Sequence, residues 1–275
     1  MEHIKRTERL GVIAHLLTQT PNVIHNYAEF CEMFSVAKST VSEDIEMVAD
    51  AFNKYGCGTV ETISGAAGGV RYRPYVSREE ANRVLEKTAG ILSQPGRLLA
   101  GGFLYSSDVA SDPEIVSVLG RIIAGRYYDK APDFVLTMET KGIPLALMTA
   151  KSLGINMVVA RRDTKAYEGS AVKINYVSGS AENEHIETMS LSRRAVKAGQ
   201  KALIVDDFEK GGGTLQGMVE MMGECQVEVV GVEVMIATAT PVQKLCNNVN
   251  ALMILEGTDK MNSSCSVRPN PDYFD

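Results

Sequence analysis

The chain has 275 residues, 45% of them apolar and 23% charged, with a net charge of −6. That balance excludes disordered and fibrous classes, and the length suits one large domain or two smaller ones, each able to bury a core. No run of about 18 apolar residues could span a bilayer, the segment Met1 to Leu10 lacks a signal-peptide core, and five scattered cysteines without a C-x-x-C speak against disulfides or zinc and for a reducing cytoplasm.

The first 75 residues read as one unit. Leu10, Ile13, Ala14, Leu16 and Leu17 share a face of a helix from Ile4 to Thr18, which Pro21 and Asn22 end. A short helix follows from Tyr27 to Phe34. A third runs from Lys38 to about Tyr55, with Val41, Ile45, Val48, Ala49 and Phe52 at helical spacing. Two extended runs, Thr59 to Ile63 and Val70 to Tyr75, flank the hairpin-like Ser64 to Gly69. Three helices and a two-stranded hairpin are the order of a winged helix. Lys38, Ser39, Thr40 and Ser42 open the third helix, where short hydroxyl and basic side chains can reach phosphates and base edges. Lys5, Arg6 and Arg9 line the start of the first helix, and Arg71 and Arg73 fall on the wing. These nine residues are the expected DNA contacts. The unit nevertheless carries seven Lys/Arg against nine Asp/Glu. A basic footprint requires the cations to share one face.

Ser77 and Glu80 form a capping box for a helix that reaches Leu92 and ends at Gln94-Pro95-Gly96. It reads as a connector between the unit of residues 1–75 and a second domain of residues 76–275. From Leu98 onward, short apolar strands alternate with helices. A helix starts at Asp112-Pro113. Strands are expected at Phe134 to Met138, Asn156 to Ala160, Ala202 to Val205, Val227 to Ile236 and Ala251 to Leu255. Helices are expected over Gly142 to Leu153 and Thr214 to about Cys225. This is an α/β pattern, with a mainly parallel sheet buried on both faces. Between Arg161 and Arg194 the chain is polar, and a connection of that length suits a lid.

The segment Ala202 to Thr214 carries the chemistry. An apolar strand leads into Asp206, Asp207, Phe208 and Glu209, then Lys210, Gly211, Gly212, Gly213 and Thr214 at a helix start. Backbone amides of such a turn, together with the helix dipole, bind anions. The acids at the strand end lie where open α/β sheets bind ligands. They suit sugar hydroxyls or a magnesium-bound ligand better than a bare phosphate. Neither a Walker loop nor G-x-G-x-x-G is present.

This run resembles the phosphoribosyl-pyrophosphate (PRPP) loop of type I phosphoribosyltransferases. That resemblance implies acids on the ribose hydroxyls and a Gly-rich loop on the 5′-phosphate. Thr140, Lys141, Gly142, Ile143 and Pro144 stand where that family places its pyrophosphate loop. Arg161, Arg162 and Lys165 follow the next strand and would add positive charge. Where active purine enzymes commonly carry a small residue or an acid, this chain has Lys210, and lysine is a poor proton acceptor at neutral pH. No aromatic residue lies between Leu215 and Asp272 to stack on a base.

The two halves together resemble the bacterial purine operon repressors over essentially the whole chain. The matching residues are Ala37 to Asp44, Gly65 to Val70, Thr140 to Pro144, Glu168 to Ser170 with Asn175 to Ser180, and Asp206 to Thr214. The resemblance implies a cytoplasmic homodimer that binds operator DNA and is released by PRPP, alone or with magnesium. It implies a transferase fold without catalytic residues, no metal site of its own and no membrane partner. Lysine at position 210 is what that family leads one to expect. Two other readings stay open on the residues: a working purine phosphoribosyltransferase with an appended regulatory domain, and a nucleotide-sensing scaffold that binds no DNA.

Overall fold

A computed structural model describes residues 4–65, 68–99, 102–163, 169–178, 185–259 and 264–274. The chain divides into two compact units, Met1–Ser77 with Lys151–Gly154, and Arg78–Ala150 with Ile155–Asp275.

The first unit contains α1 (Arg6–Gln19), α2 (Tyr27–Phe34), α3 (Lys38–Tyr55), β1 (Thr59–Ile63) and β2 (Gly69–Arg73). The apolar spacing that predicts the helices is the spacing that fills the core. Ile13 and Leu17 from α1, Phe30 and Phe34 from α2, and Val41, Ile45 and Val48 from α3 are all buried against Val70 and Tyr72. Asn26 caps α2 by accepting from the Ala28 amide at 2.8 Å. β1 and β2 pair antiparallel, Thr59 opposite Arg73 and Ile63 opposite Gly69. His25 and Val70 exchange both backbone hydrogen bonds at 2.8 Å, which ties the loop before α2 to the wing.

The second unit begins with α4 (Arg78–Leu92), α5 (Ser107–Ser111), α6 (Pro113–Gly125), β3 (Phe134–Met138), α7 (Ile143–Leu153) and β4 (Asn156–Ala160). It continues through β5 (Ala171–Ser178), β6 (His185–Ser192), β7 (Lys201–Glu209), α8 (Gly213–Glu224), β8 (Glu228–Thr238), β9 (Val249–Asp259) and β10 (Ser264–Pro269), and a 3-10 turn (Pro271–Phe274) follows. The central sheet runs β10-β9-β8-β7-β3-β4. Every pair is parallel except β10 with β9. All five residues of β3 are buried, as a strand covered on both faces requires.

Three expectations change. The helix read as a connector, α4, packs along β10 and belongs to the second unit; the Ser93 hydroxyl just beyond it donates to the Val267 carbonyl at 3.2 Å. The polar stretch read as a lid contains an antiparallel hairpin, β5 with β6. Its Tyr176, Met189 and Leu191 are buried in the core with Leu215 and Met218 of α8, so this part is built into the domain. Lys165, Glu168, Gly179 and Ser180 lie outside the described residues, as do Ala66 and Ala67 of the wing turn. Finally, β7 runs on past Val205 through Glu209, so both aspartates are strand residues.

Candidate functional site

The sheet reverses its order of winding between β3 and β7. β3 leads by α7 to β4 on one side, while β7 leads by α8 to β8 on the other. Such a switch point opens a crevice at the carboxyl ends of the strands. Here the crevice is a cavity of about 490 Å³ lined by Glu139, Thr140, Lys141, Arg162, Asp206, Asp207, Phe208 and Thr214. Residues 66 positions apart in the sequence thus share one wall, as the loop motifs predict.

Asp206 is 6% exposed. Its Oδ1 accepts from the Asp207 amide at 2.9 Å. A Cβ on residue 142 would stand 2.2 Å from that oxygen, so Gly142 is what lets the carboxylate lie flat against the β3 loop. Burial, and then the adjacent Asp207, push the Asp206 carboxyl well above the ordinary carboxylate range. Burial also raises Asp207, against the opposing pull of the Lys141 ammonium. A buried and a half-buried carboxylate beside a lysine are placed to accept hydrogen bonds from hydroxyl donors. The Glu139–Thr140 peptide at the rim is cis.

Gly212 is the N-cap of α8 and Thr214 lies in its first turn, on the cavity wall. The helix start therefore faces the space in front of the aspartates and suits a phosphate there. Lys210 is exposed and, with Lys141, Asp207 and Phe208, lines a neighbouring cavity of about 390 Å³. Phe103, 71% exposed, forms part of that second wall. The sequence has no aromatic between Leu215 and Asp272, downstream of the loop. The aromatic faces come instead from Phe208 within it and from Phe103, more than 100 residues earlier.

Two expected effector residues are placed elsewhere. Arg161 turns its guanidinium to Glu139, 3.3 Å away, and exchanges backbone hydrogen bonds with Ser190. It does not line the cavity, and Arg162 takes that place. Glu209 is 3% exposed and pairs with Lys244 at 2.8 Å behind the Gly-rich turn. Its pairing with Lys244 holds it on the side of the turn away from the crevice.

The expected DNA contacts in the first unit also separate. Lys38, Ser39 and Ser42 are exposed at the start of α3, and Thr40 is half-buried. The Lys38 ammonium stands 5.5 Å from the centre of the Tyr27 ring. Lys5 is exposed at the N-cap of α1. Arg9 is a correction: it is 5% exposed and its Nε donates to Asp44 at 2.6 Å, so it is a core residue. Arg6 shares Asp44 at 2.8 Å and reaches Glu43 at 3.1 Å. Arg71 and Arg73 both pair with Glu61, at 2.8 and 3.2 Å. The negative total charge of this unit is therefore spent largely on its own arginines, while Lys38, Ser39 and Ser42 at the α3 start stand exposed.

Comparison with known proteins agrees with this division. A family model described as "Bacterial purine repressor, N-terminal" matches residues 5–74, and a phosphoribosyl transferase domain model matches residues 106–254. A probable purine biosynthesis transcriptional regulator PurR of Streptococcus pneumoniae is 39% identical over 264 residues, covering 96% of each chain. A purine biosynthesis transcriptional activator PurR of Lactococcus lactis is 37% identical over 96% of this chain and 97% of its own. A purine biosynthesis transcriptional repressor PurR of Bacillus subtilis is 36% identical over 96% of this chain and 92% of its own. Among solved structures, the adenine phosphoribosyltransferase of Thermoanaerobacter pseudethanolicus superposes with a TM-score of 0.52 at 18% identity, over 61% of this chain and 98% of that one. That likeness fixes the fold of the second unit.

Proposed function

This chain belongs to the bacterial purine repressor family, and on that premise we propose that it represses purine-biosynthesis genes by holding operator DNA and lets go when PRPP binds. It is a regulator of purine-biosynthesis transcription, with a transferase-like domain put to sensing rather than catalysis. One observation carries the choice of effector. The crevice between β3 and β7 gathers the carboxylates of Asp206 and Asp207, Lys141, Arg162 and the start of α8 around a single cavity. A sugar bearing a phosphate at one end and a diphosphate at the other fits that donor and acceptor set. Asp206 and Asp207 accept from the ribose hydroxyls, Gly211 to Thr214 hold the 5′-phosphate, and Thr140, Lys141 and Gly142 meet the diphosphate. Where magnesium accompanies PRPP, Asp206 and Asp207 are the residues that would hold it, and it would offset the diphosphate charge.

Residues 1–75 form the DNA-binding domain and residues 76–275 the effector domain. The working form is a homodimer in the cytoplasm, reading a site of two half-operators with one α3 start in each. Release by PRPP is a negative coupling between the two sites, typically about 1–3 kcal/mol, and it is reciprocal: operator DNA weakens PRPP binding by the same factor. The relatives' names include both an activator and a repressor; repression is favoured by the N-terminal family model, which is that of a repressor. The deciding experiment is a gel shift on DNA upstream of purine genes, with PRPP added alone and with magnesium. Transcription from the same promoter is read in parallel. A retarded band that PRPP releases, with transcription rising as it does, is expected. A complex that PRPP leaves intact, or a promoter silenced by release, overturns the reading.

A further inference from the structure

The Gly-rich turn is gripped from behind by the connection between β8 and β9. Four consecutive residues of the turn are each touched. The Glu209 carboxylate takes the Lys244 ammonium at 2.8 Å. The Lys210 carbonyl accepts from the Thr238 hydroxyl at 3.4 Å. The Gly211 carbonyl accepts from the Leu245 amide at 2.9 Å. Gly212, at φ +80°, lies so close to the same strap that a Cβ there would stand 2.7 Å from the Cys246 nitrogen. Both members of the ion pair are shielded: the Glu209 side chain is 3% exposed and that of Lys244 14%. The second carboxylate oxygen, Oε1, is buried and accepts no hydrogen bond among the described residues. Burial, and then the Glu209 charge, push the Cys246 thiol up to about 11.

We propose that the strap from Thr238 to Cys246 is a brace that sets the shape and charge of the phosphate-holding turn, with Lys244 as a positioning residue for effector binding. The inference rests on the effector reading above. Its physical basis is the orphan-charge argument. A carboxylate this deep is tolerated because an ammonium neutralises it, and removing one partner of such a pair is far costlier than removing both. Without Lys244, an uncompensated negative charge stands directly behind the amides that must attract a phosphate. The turn must then shift to bring water to Glu209, or remain and repel the ligand. Lys244 itself lines a different cavity from the one that holds the aspartates, so it acts through Glu209 rather than on the effector.

The test uses the full-length chain on operator DNA, with release followed as PRPP is titrated. Lys244→Met is expected to raise the PRPP concentration for half-release by about tenfold or more, while operator affinity without PRPP stays within about twofold. Lys244→Arg keeps the charge and should stay within about threefold of the wild type. Glu209→Gln combined with Lys244→Met removes both charges and should recover the response to within about threefold. A Lys244→Met protein that responds like the wild type overturns the proposal, as does a double variant as insensitive as the single one. A Lys244→Met chain that no longer binds operator at all also overturns it, because the pair then holds the fold rather than the turn. If the wild-type chain itself ignores PRPP, it is the effector reading that fails.

Discussion

Arg9 of α1 and Asp44 of α3 form a pair inside the first unit, Nε to Oδ2 at 2.6 Å, with the aspartate side chain 0% exposed. Arg6 adds a second contact to the same carboxylate, and Arg9 spends another donor on the Ile4 carbonyl at 3.0 Å. A cation read as a DNA contact is thus a clamp between the first helix and the helix that presents Lys38. Breaking a buried pair by losing one partner costs about 3–5 kcal/mol. Because Arg6 still meets Asp44, Arg9→Met should lower the stability of the first unit by up to that order, seen in thermal or urea unfolding, whereas Arg9→Met with Asp44→Leu should regain much of the loss. A single variant as stable as the wild type would contradict the clamp.

The salt dependence of operator binding separates the cations. Lys38→Ala should weaken binding evenly across sequences and make the log K against log salt slope shallower by about one unit. Arg71 and Arg73 share the single carboxylate of Glu61, and Arg73 also donates to Asn22 at 3.2 Å. Glu61→Gln removes the negative charge beside both, and operator affinity should rise with a slope steeper by about one unit where Arg71 then reaches a phosphate. An unchanged slope in Lys38→Ala and Glu61→Gln together would remove α3 and the wing from the interface.

Asp206→Ala with Asp207→Ala should abolish release by PRPP and leave operator binding intact, giving a permanently repressing protein. Both carboxyls are held above their ordinary range by burial. Their loss should therefore not lower the melting temperature. Release at the wild-type PRPP concentration would show that other groups hold the sugar.

Incubation with PRPP, magnesium and each of adenine, guanine, hypoxanthine and xanthine should yield no nucleotide. The cavity beside Lys210 has aromatic walls in Phe103 and Phe208, so a base could lodge there. What the site lacks is an acid at position 210 to take a proton. Turnover in the usual enzyme range, about 1–1,000 per second, would reverse the assignment of the domain to sensing.

Glu233 of β8 is fully buried and accepts from the hydroxyls of Tyr127 at 2.8 Å and Tyr273 at 2.9 Å. Burial outweighs these donors and lifts the carboxyl from 4.5 to about 7. The folded state then binds a proton that the unfolded chain has released between those values. This group's contribution to stability is present at low pH, declines as pH rises from about 4.5 to 7, and is lost above that. The full swing is about 3 kcal/mol. The melting temperature of Glu233→Gln should fall less than that of the wild type between pH 5 and pH 8. Parallel profiles would show that Glu233 titrates alike in both states.

The helices of the first unit and the strands around Asp206 were legible because their apolar spacing is what the core uses, as Ile13, Leu17, Val41 and Ile45 illustrate. The β5–β6 hairpin is legible only locally: Val172, Ile174 and Tyr176 alternate with Lys173 and Asn175 at strand period, but the run is short and the polarity of the stretch from Arg161 to Arg194 as a whole masks it. The second aromatic wall was missed because Phe103 reaches its cavity from an earlier segment, a relation no local pattern encodes. The role of Arg9 was missed for a different reason. Its guanidinium could face solvent or Asp44 equally well by composition, and only the packing of α1 on α3 decides.

The run of β7 through Glu209 also sets what can change in this segment. Asp206, Asp207 and Phe208 face the crevice, and the very next side chain anchors the strap behind it. Residue type can vary at Phe208 or Lys210 while the rest keep their posts. Length cannot: one inserted or deleted residue between Asp206 and Glu209 would slip the register, taking Glu209 from Lys244 and putting Phe208 or Lys210 in its place. Variation in related chains should therefore appear here as exchanges, with gaps falling elsewhere.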